Sequence, residues 1–214
     1  MFLHDKFEVR FLLKITVFIG LVLSVYVLWP RQPSLTAFSP REFAVLNIAS
    51  WRGVVEGRPT EALVSLYRIY EGQYGLLPID ALEAAWSSWQ AMSIFVKAAD
   101  RADQEQALPH LERAFGVLSS KAGMVGDSQV AARLELFEWM LASDSKKRPE
   151  LATAVAEKIA LAHGAPAAGF ENAASILAKA ISLRADQKWS AAERSLEQGL
   201  ERVKERLPNP AKAH

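Results

Sequence analysis

The sequence predicts an all-α protein in which a single N-terminal transmembrane helix is followed by a stack of about eight antiparallel helices. Three observations carry this prediction. Residues 11–29 form an apolar run with one charge. From residue 39 onward apolar residues recur at the 3.6-residue helical spacing, and turns rich in glycine and proline separate the periodic segments. No alternation of the β type competes with them.

A chain of 214 residues suits one domain of ordinary size with an appendage. We place a short tail at 1–10, the membrane span at 11–29, a linker at 30–38, the helical domain at 39–208 and a second tail at 209–214. Setting aside Asp5, Lys6, Glu8, Arg10 and Lys14 leaves the rest of the chain formally neutral, which argues against a nucleic-acid partner. The densest basic run, Lys146-Lys147-Arg148, stands in SDSKKRPE and reads as a solvated loop. The chain has no cysteine, so disulfides, thiolate metal sites and cysteine nucleophiles are excluded.

The nineteen residues 11–29 span about 28 Å as a helix, close to the ~30 Å hydrocarbon core. Tyr26 and Trp29 stand at the distal end, where amphipathic aromatics favour the headgroup level, and Pro30 and Pro33 stop the helix. Lys14, one turn from the other end, is expected to snorkel to the surface. A cleaved signal peptide has a shorter apolar region and a small-residue cleavage site; LWPRQPS offers none, so the span reads as a retained signal anchor. Lys6 and Arg10 before the span, with Lys14 near its start, outnumber Arg31 and Arg41 after it. The N-terminus is therefore expected in the cytoplasm and the domain outside, which in a Gram-negative cell is the periplasmic side of the inner membrane. Gly20 and Ser24 form a small-xxx-small pair suited to a partner helix in the bilayer.

The helices follow in order. Ser39-Pro40-Arg41-Glu42 combines an N-cap serine, a proline start and a glutamate three residues on, and opens a helix to Glu56. Gly57 and Pro59 separate it from a second helix whose Leu63, Leu66, Tyr67 and Tyr70 share a face, and which ends at Gly72, Gly75 and Pro78. A third covers 79–100, and a fourth, LPHLERAFGVLSSK, stops before Gly123. Asp127 or Ser128 caps a fifth, whose Val130, Leu134, Phe137 and Leu141 align. A sixth starts near Pro149 with Ala152, Val155, Ile159 and Ala162 aligned. Gly164-Ala165-Pro166 then turns the chain into a seventh carrying Ala174, Leu177 and Ile181. The eighth carries Ala192, Leu196, Gly199 and Val203.

Two stretches resemble the second helix of a tetratricopeptide repeat: GRPTEALVSLY, with Gly57, Ala62 and Leu66, and KWSAAERSLEQGL, with Trp189, Ala192, Leu196 and Gly199. The helices before them lack the W-x-x-L-G-x-x-Y half of that pattern. The resemblance implies stacked helical hairpins and a concave surface that holds a protein or peptide.

Catalytic and cofactor signals are absent. His4, His110, His163 and His214 are scattered, with no i, i+4 pair for a metal, and His110 and His163 read as surface or helix-end residues. No G-x-S-x-G presents a serine, and Gly123-Met-Val-Gly126-Asp-Ser lacks the lysine of a phosphate loop. Glu135 and Glu138, one turn apart, read as solvated carboxylates on an exposed face. We therefore expect no enzyme, no cofactor and no metal. The candidate partner-binding residues are aromatic: Trp51, Tyr67, Tyr70, Tyr74, Trp86 and Trp89, most of them core and some retained at the surface as anchors.

The expected function is a non-catalytic, membrane-anchored helical scaffold or assembly and maturation accessory protein. It would bind a membrane-bound or exported protein partner at the periplasmic membrane surface. The alternative is a membrane-tethered sensory or small-ligand-binding domain. A closed apolar pocket favours the alternative, and a groove with exposed rings favours the scaffold.

Overall fold

The computed structural model describes residues 33–207. The tail at 1–10, the span at 11–29 with Lys14, Gly20, Ser24, Tyr26 and Trp29, and the tail at 209–214 lie outside the described residues. Among the described residues all regular structure is helical, with no strand, and no helix is long and apolar enough to cross a membrane.

The helix starts follow the local chemistry. α1 (Pro40–Val55) begins at Ser39, whose side chain accepts from the Glu42 N–H. The expected reciprocal bond from Glu42 is replaced, because the Ser39 N–H donates to Gln73 Oε1 at 2.8 Å. Gly57, at a φ of 71°, turns the chain into α2 (Pro59–Arg68). There the helix widens into one π turn, Ile69–Gln73, in which the Tyr74 N–H reaches the Ile69 carbonyl. Such turns insert a residue and re-aim side chains, here Tyr70 and Tyr74. α3 (Pro78–Lys97) and the short α4 (Arg101–Glu105) precede α5 (Leu108–Lys121). Asp127 Oδ1 accepts from the Gln129 and Val130 N–H groups to open α6 (Ser128–Ser143). α7 (Leu151–His163), α8 (Glu171–Ala185) and α9 (Trp189–Arg206) complete the described residues.

Among the described residues the eight long helices close on themselves. Each packs on the next, with α3 meeting α5 past the short α4, and α9 returns to pack on α1. Lys204, near the end of α9, donates to the Phe38 carbonyl at 2.7 Å just before α1, so these two helices run antiparallel. The repeat resemblance implies an open stack; here the concave side is turned inward and becomes the centre of a ring. Residues 33–38, expected as a linker, are packed into it. The Ser34 N–H donates to the Tyr74 carbonyl, and Phe38 is buried.

Two apolar cores divide the interior. One joins α1 to α7, α8 and α9 around Ile48, Leu151, Val155, Leu177 and Leu196. The other joins α1 to α2, α3, α5 and α6 around Trp51, Leu66, Leu76, Leu111 and Leu136. The stripe Ala192, Leu196, Gly199 and Val203 on α9 is buried as the period requires. On α6 the expected stripe holds at its end and fails before it: Leu141 is buried, but Val130 and Phe137 are exposed, and Ala131, Ala132, Leu136 and Trp139 face in. α6 is apolar on two sides, and the inner side is the one that carries the small residues.

Small residues set the helix spacing. A Cβ on Gly53 would lie 2.9 Å from the backbone nitrogen of Ala62, so α1 and α2 touch backbone to backbone. Gly53→Ala is expected to lower stability by up to about 2 kcal/mol, because overpacking of about 1–3 kcal/mol is set against the ~1 kcal/mol helix preference for alanine. Gly116→Ala on α5, with open space around the new Cβ, is expected to be neutral or slightly stabilising. Urea unfolding of the two variants checks the contrast.

Candidate functional site

Glu135 and Glu138 sit one turn apart on the inner face of α6, beside Leu136 and Trp139. Lys158 lies on the face of α7 that carries Val155 and Ile159. The expectation that both carboxylates face solvent is therefore overturned: Glu138 is 1% exposed and Glu135 about one-fifth. Lys158 Nζ donates to both, reaching Glu138 Oε2 at 2.6 Å and Glu135 Oε2 in a close ion pair. The second oxygen of Glu135 accepts from the Trp139 indole N–H at 2.8 Å. The second oxygen of Glu138 has no partner and is buried. An unsatisfied buried acceptor costs about 1–3 kcal/mol, so the arrangement is not optimised for stability alone.

The electrostatics follow from burial set against charge. Burial pushes the Glu138 carboxyl up to about 7, against the pull of Lys158 and with the help of Glu135. Burial also acts on Glu135, but Lys158 and Arg184 outweigh it and hold that carboxyl below its ordinary value. Lys158 ends above its ordinary value, because the two carboxylates overcome its burial. The trio therefore holds a proton loosely at Glu138 and firmly at Lys158 near neutral pH.

Arg184, at the end of α8, completes the polar centre. Its guanidinium stacks on the Trp51 ring at 4.1 Å and donates one long hydrogen bond, 3.4 Å, to Asn47 Oδ1. Burial lowers it to about 10 against the raising influence of Glu135 and Glu138. Trp51 in turn meets Trp139 edge to face at 4.8 Å, and Phe95 meets Trp139 at 5.3 Å. Tyr70 and Ser88 share a buried 2.7 Å hydrogen bond, and burial pushes the Tyr70 hydroxyl up to about 12.

Apart from Phe95, these groups line one cavity of about 270 Å³, with apolar walls that include Ile69, Met92, Phe115, Ile159 and Ile181. Leu35 and Phe38, from the segment before α1, and Met124, from the loop before α6, also line it. The sequence-predicted aromatics divide between this cavity and the outside. Trp51, Tyr70 and Tyr74 line the cavity, and Tyr67 and Trp89 are half-buried against the core. Trp86 is 46% exposed.

Trp86 belongs to a surface stripe on α3. Ile79, Leu82, Trp86, Trp89, Ser93 and Val96 recur at spacings of three and four residues. Of these, Ile79, Leu82, Trp86 and Val96 are exposed, Ile79 at 72%. The Trp86 and Trp89 rings lie 5.0 Å apart. Asp80 and Glu83 flank the stripe.

Lys146 and Lys147 are exposed in a turn, as expected, with Lys147 paired to Asp144, whereas Arg148 starts a short 3-10 turn, Arg148–Glu150, and is partly covered, pairing with Asp186 at 2.7 Å and donating to the Ala142 carbonyl. Among the described residues no group of three or more His, Asp or Glu side chains is placed to hold a metal. The expectation of no enzyme rests on acid and base groups lying apart, whereas the centre gathers Glu135, Glu138, Lys158 and Tyr70. Of its two serines, Ser88 is held by Tyr70 and Ser50 donates to the Asn47 carbonyl, so neither is bonded to a base that would activate it.

The fold and centre define an all-α ring of helical hairpins with a charged interior. Comparison with protein-family models, with curated proteins and with solved structures finds no match to the chain.

Proposed function

We propose that the chain is a non-catalytic, membrane-anchored helical scaffold or assembly accessory protein that binds a protein partner at the periplasmic membrane surface. The anchor rests on the apolar run at 11–29 and the orientation on the basic residues before it. The observation that carries the binding reading is the exposed stripe on α3. A water-facing helix normally keeps large apolar groups apart, whereas Ile79, Leu82 and Trp86 recur on one face at the spacing of a coiled-coil seam.

That spacing takes a helix, because a knob-into-hole contact needs a facing helix with the same repeat. Asp80 and Glu83 beside the stripe select a partner helix with lysine or arginine at its flanks. Tethering confines the domain to the membrane and raises its effective concentration toward a partner held there.

The double variant Leu82→Glu/Trp86→Ala tests this. Its substitutions are exposed, so its melting temperature is expected to match the parent's. Recovery of the partner after cross-linking in native membranes is expected to fall at least about tenfold, since exposed aromatic anchors carry a large share of binding energy. Unchanged recovery would contradict the reading, and so would a lowered melting temperature, which would place the stripe in the folding core.

A further inference from the structure

We propose that the polar centre of the ring binds a small organic carboxylate with a hydrogen-bond donor on the adjacent carbon and an apolar tail, an α-hydroxy or α-amino acid. This goes beyond partner docking on α3 and rests on different residues.

One unpartnered acceptor and one lightly bonded cation lie on the wall of one cavity. Arg184 presents a guanidinium with five N–H donors, of which one makes a long bond to Asn47. Its stacking on Trp51 fixes the plane of the fork. A planar fork held in place in a partly dry site is the side chain best matched to a carboxylate. Glu138 supplies the complement, a buried carboxylate oxygen with no hydrogen-bond partner. A purely structural Glu–Lys–Glu trio would satisfy both oxygens of each acid, as Glu135 does through Lys158 and Trp139.

Charge sets the ligand's form. Lys158 is engaged by Glu135 and Glu138, so Arg184 is the cation left to meet an anion. The donor next to the ligand carboxylate would bond the free Glu138 oxygen. The tail would lie against apolar walls such as Ile69, Met92 and Ile181. A cavity of about 270 Å³ falls below the ~300–1,000 Å³ typical of drug-sized ligands, which favours a molecule of amino-acid size. Asn47 and Arg184 are only partly buried, which leaves an approach on their side.

The full chain in detergent micelles is titrated calorimetrically with L-leucine, 2-hydroxy-4-methylpentanoate and 4-methylpentanoate. The expected result is saturable binding of leucine or the hydroxy acid, at least about tenfold tighter than 4-methylpentanoate, which lacks the donor. Arg184→Gln is expected to weaken that binding at least tenfold, and Arg184→Lys to weaken it less. No binding of either donor-bearing probe would overturn the proposal, as would equal binding of all three. If Arg184→Gln fails to fold, the ranking of the three probes on the parent protein decides alone.

Discussion

Lys158→Met is expected to lower stability by about 3–5 kcal/mol at pH 8. Methionine matches the lysine stem closely, so the loss is electrostatic and not a cavity. What remains is two carboxylates on one turn of α6, Glu138 fully buried and Glu135 largely so, with no cation bonded to either. Uncompensated buried charge is the costly case, because breaking a pair costs far more than replacing both partners by apolar groups. The double variant Glu138→Leu/Lys158→Met should therefore be more stable than Lys158→Met alone. Urea unfolding monitored through tryptophan fluorescence reads both values. A loss below about 1 kcal/mol in the single variant would mean that the trio is solvated.

The second large effect is a pH dependence that Glu138 imposes. Its folded-state value, about 7, lies above the ordinary 4.5. Between those values the folded protein binds more protons at this site than the unfolded chain does. The stability contributed by Glu138 is therefore fully present below about pH 4.5, declines as pH rises to 7, and is flat above. Glu135 acts in the opposite sense and lower on the scale: its depressed carboxyl contributes above its unfolded value and is lost as pH falls through the folded one. Lys158, raised by its partners, contributes until strongly alkaline pH. Burial lowers His163, whose contribution is lost as the pH falls toward acid, but this is common to parent and variant. The difference in unfolding free energy between the parent and Glu138→Gln is accordingly expected to change by on the order of 3 kcal/mol between pH 5 and 8, in favour of the variant at pH 8. Parallel pH profiles would contradict a buried, titrating Glu138.

The helices are legible in the sequence because their ends are written locally. Ser39-Pro40, Asp127 and the glycine and proline turns need only their neighbours in sequence to act. The stripe on α9 is legible because that helix has one apolar face. On α6 the period offers two stripes, and choosing between them depends on which neighbour the helix meets, which is a tertiary fact.

The charged centre escapes the sequence for a related reason, although a signal is present. Lys158 is three residues after Val155 and four before Ala162, and Arg184 is three after Ile181, all residues that the helical period assigns inward. Charges in register with a buried stripe on two helices point to a buried ion cluster. Each helix taken separately does not reveal that they share one interior. Closure of the ring is likewise out of reach, since α9 meeting α1 depends on the accumulated rotation of eight helices and on no local motif.

Binding through α3 is tested most directly by a photo-reactive amino acid at position 82 in the full chain, activated in intact membranes. One discrete cross-link is expected, to an amphipathic helix of another protein with lysine or arginine at its flanks, and none from the same probe at the exposed Val64 on α2. Adducts only to lipid, adducts to a second copy of this chain, or equal capture from both positions would contradict it.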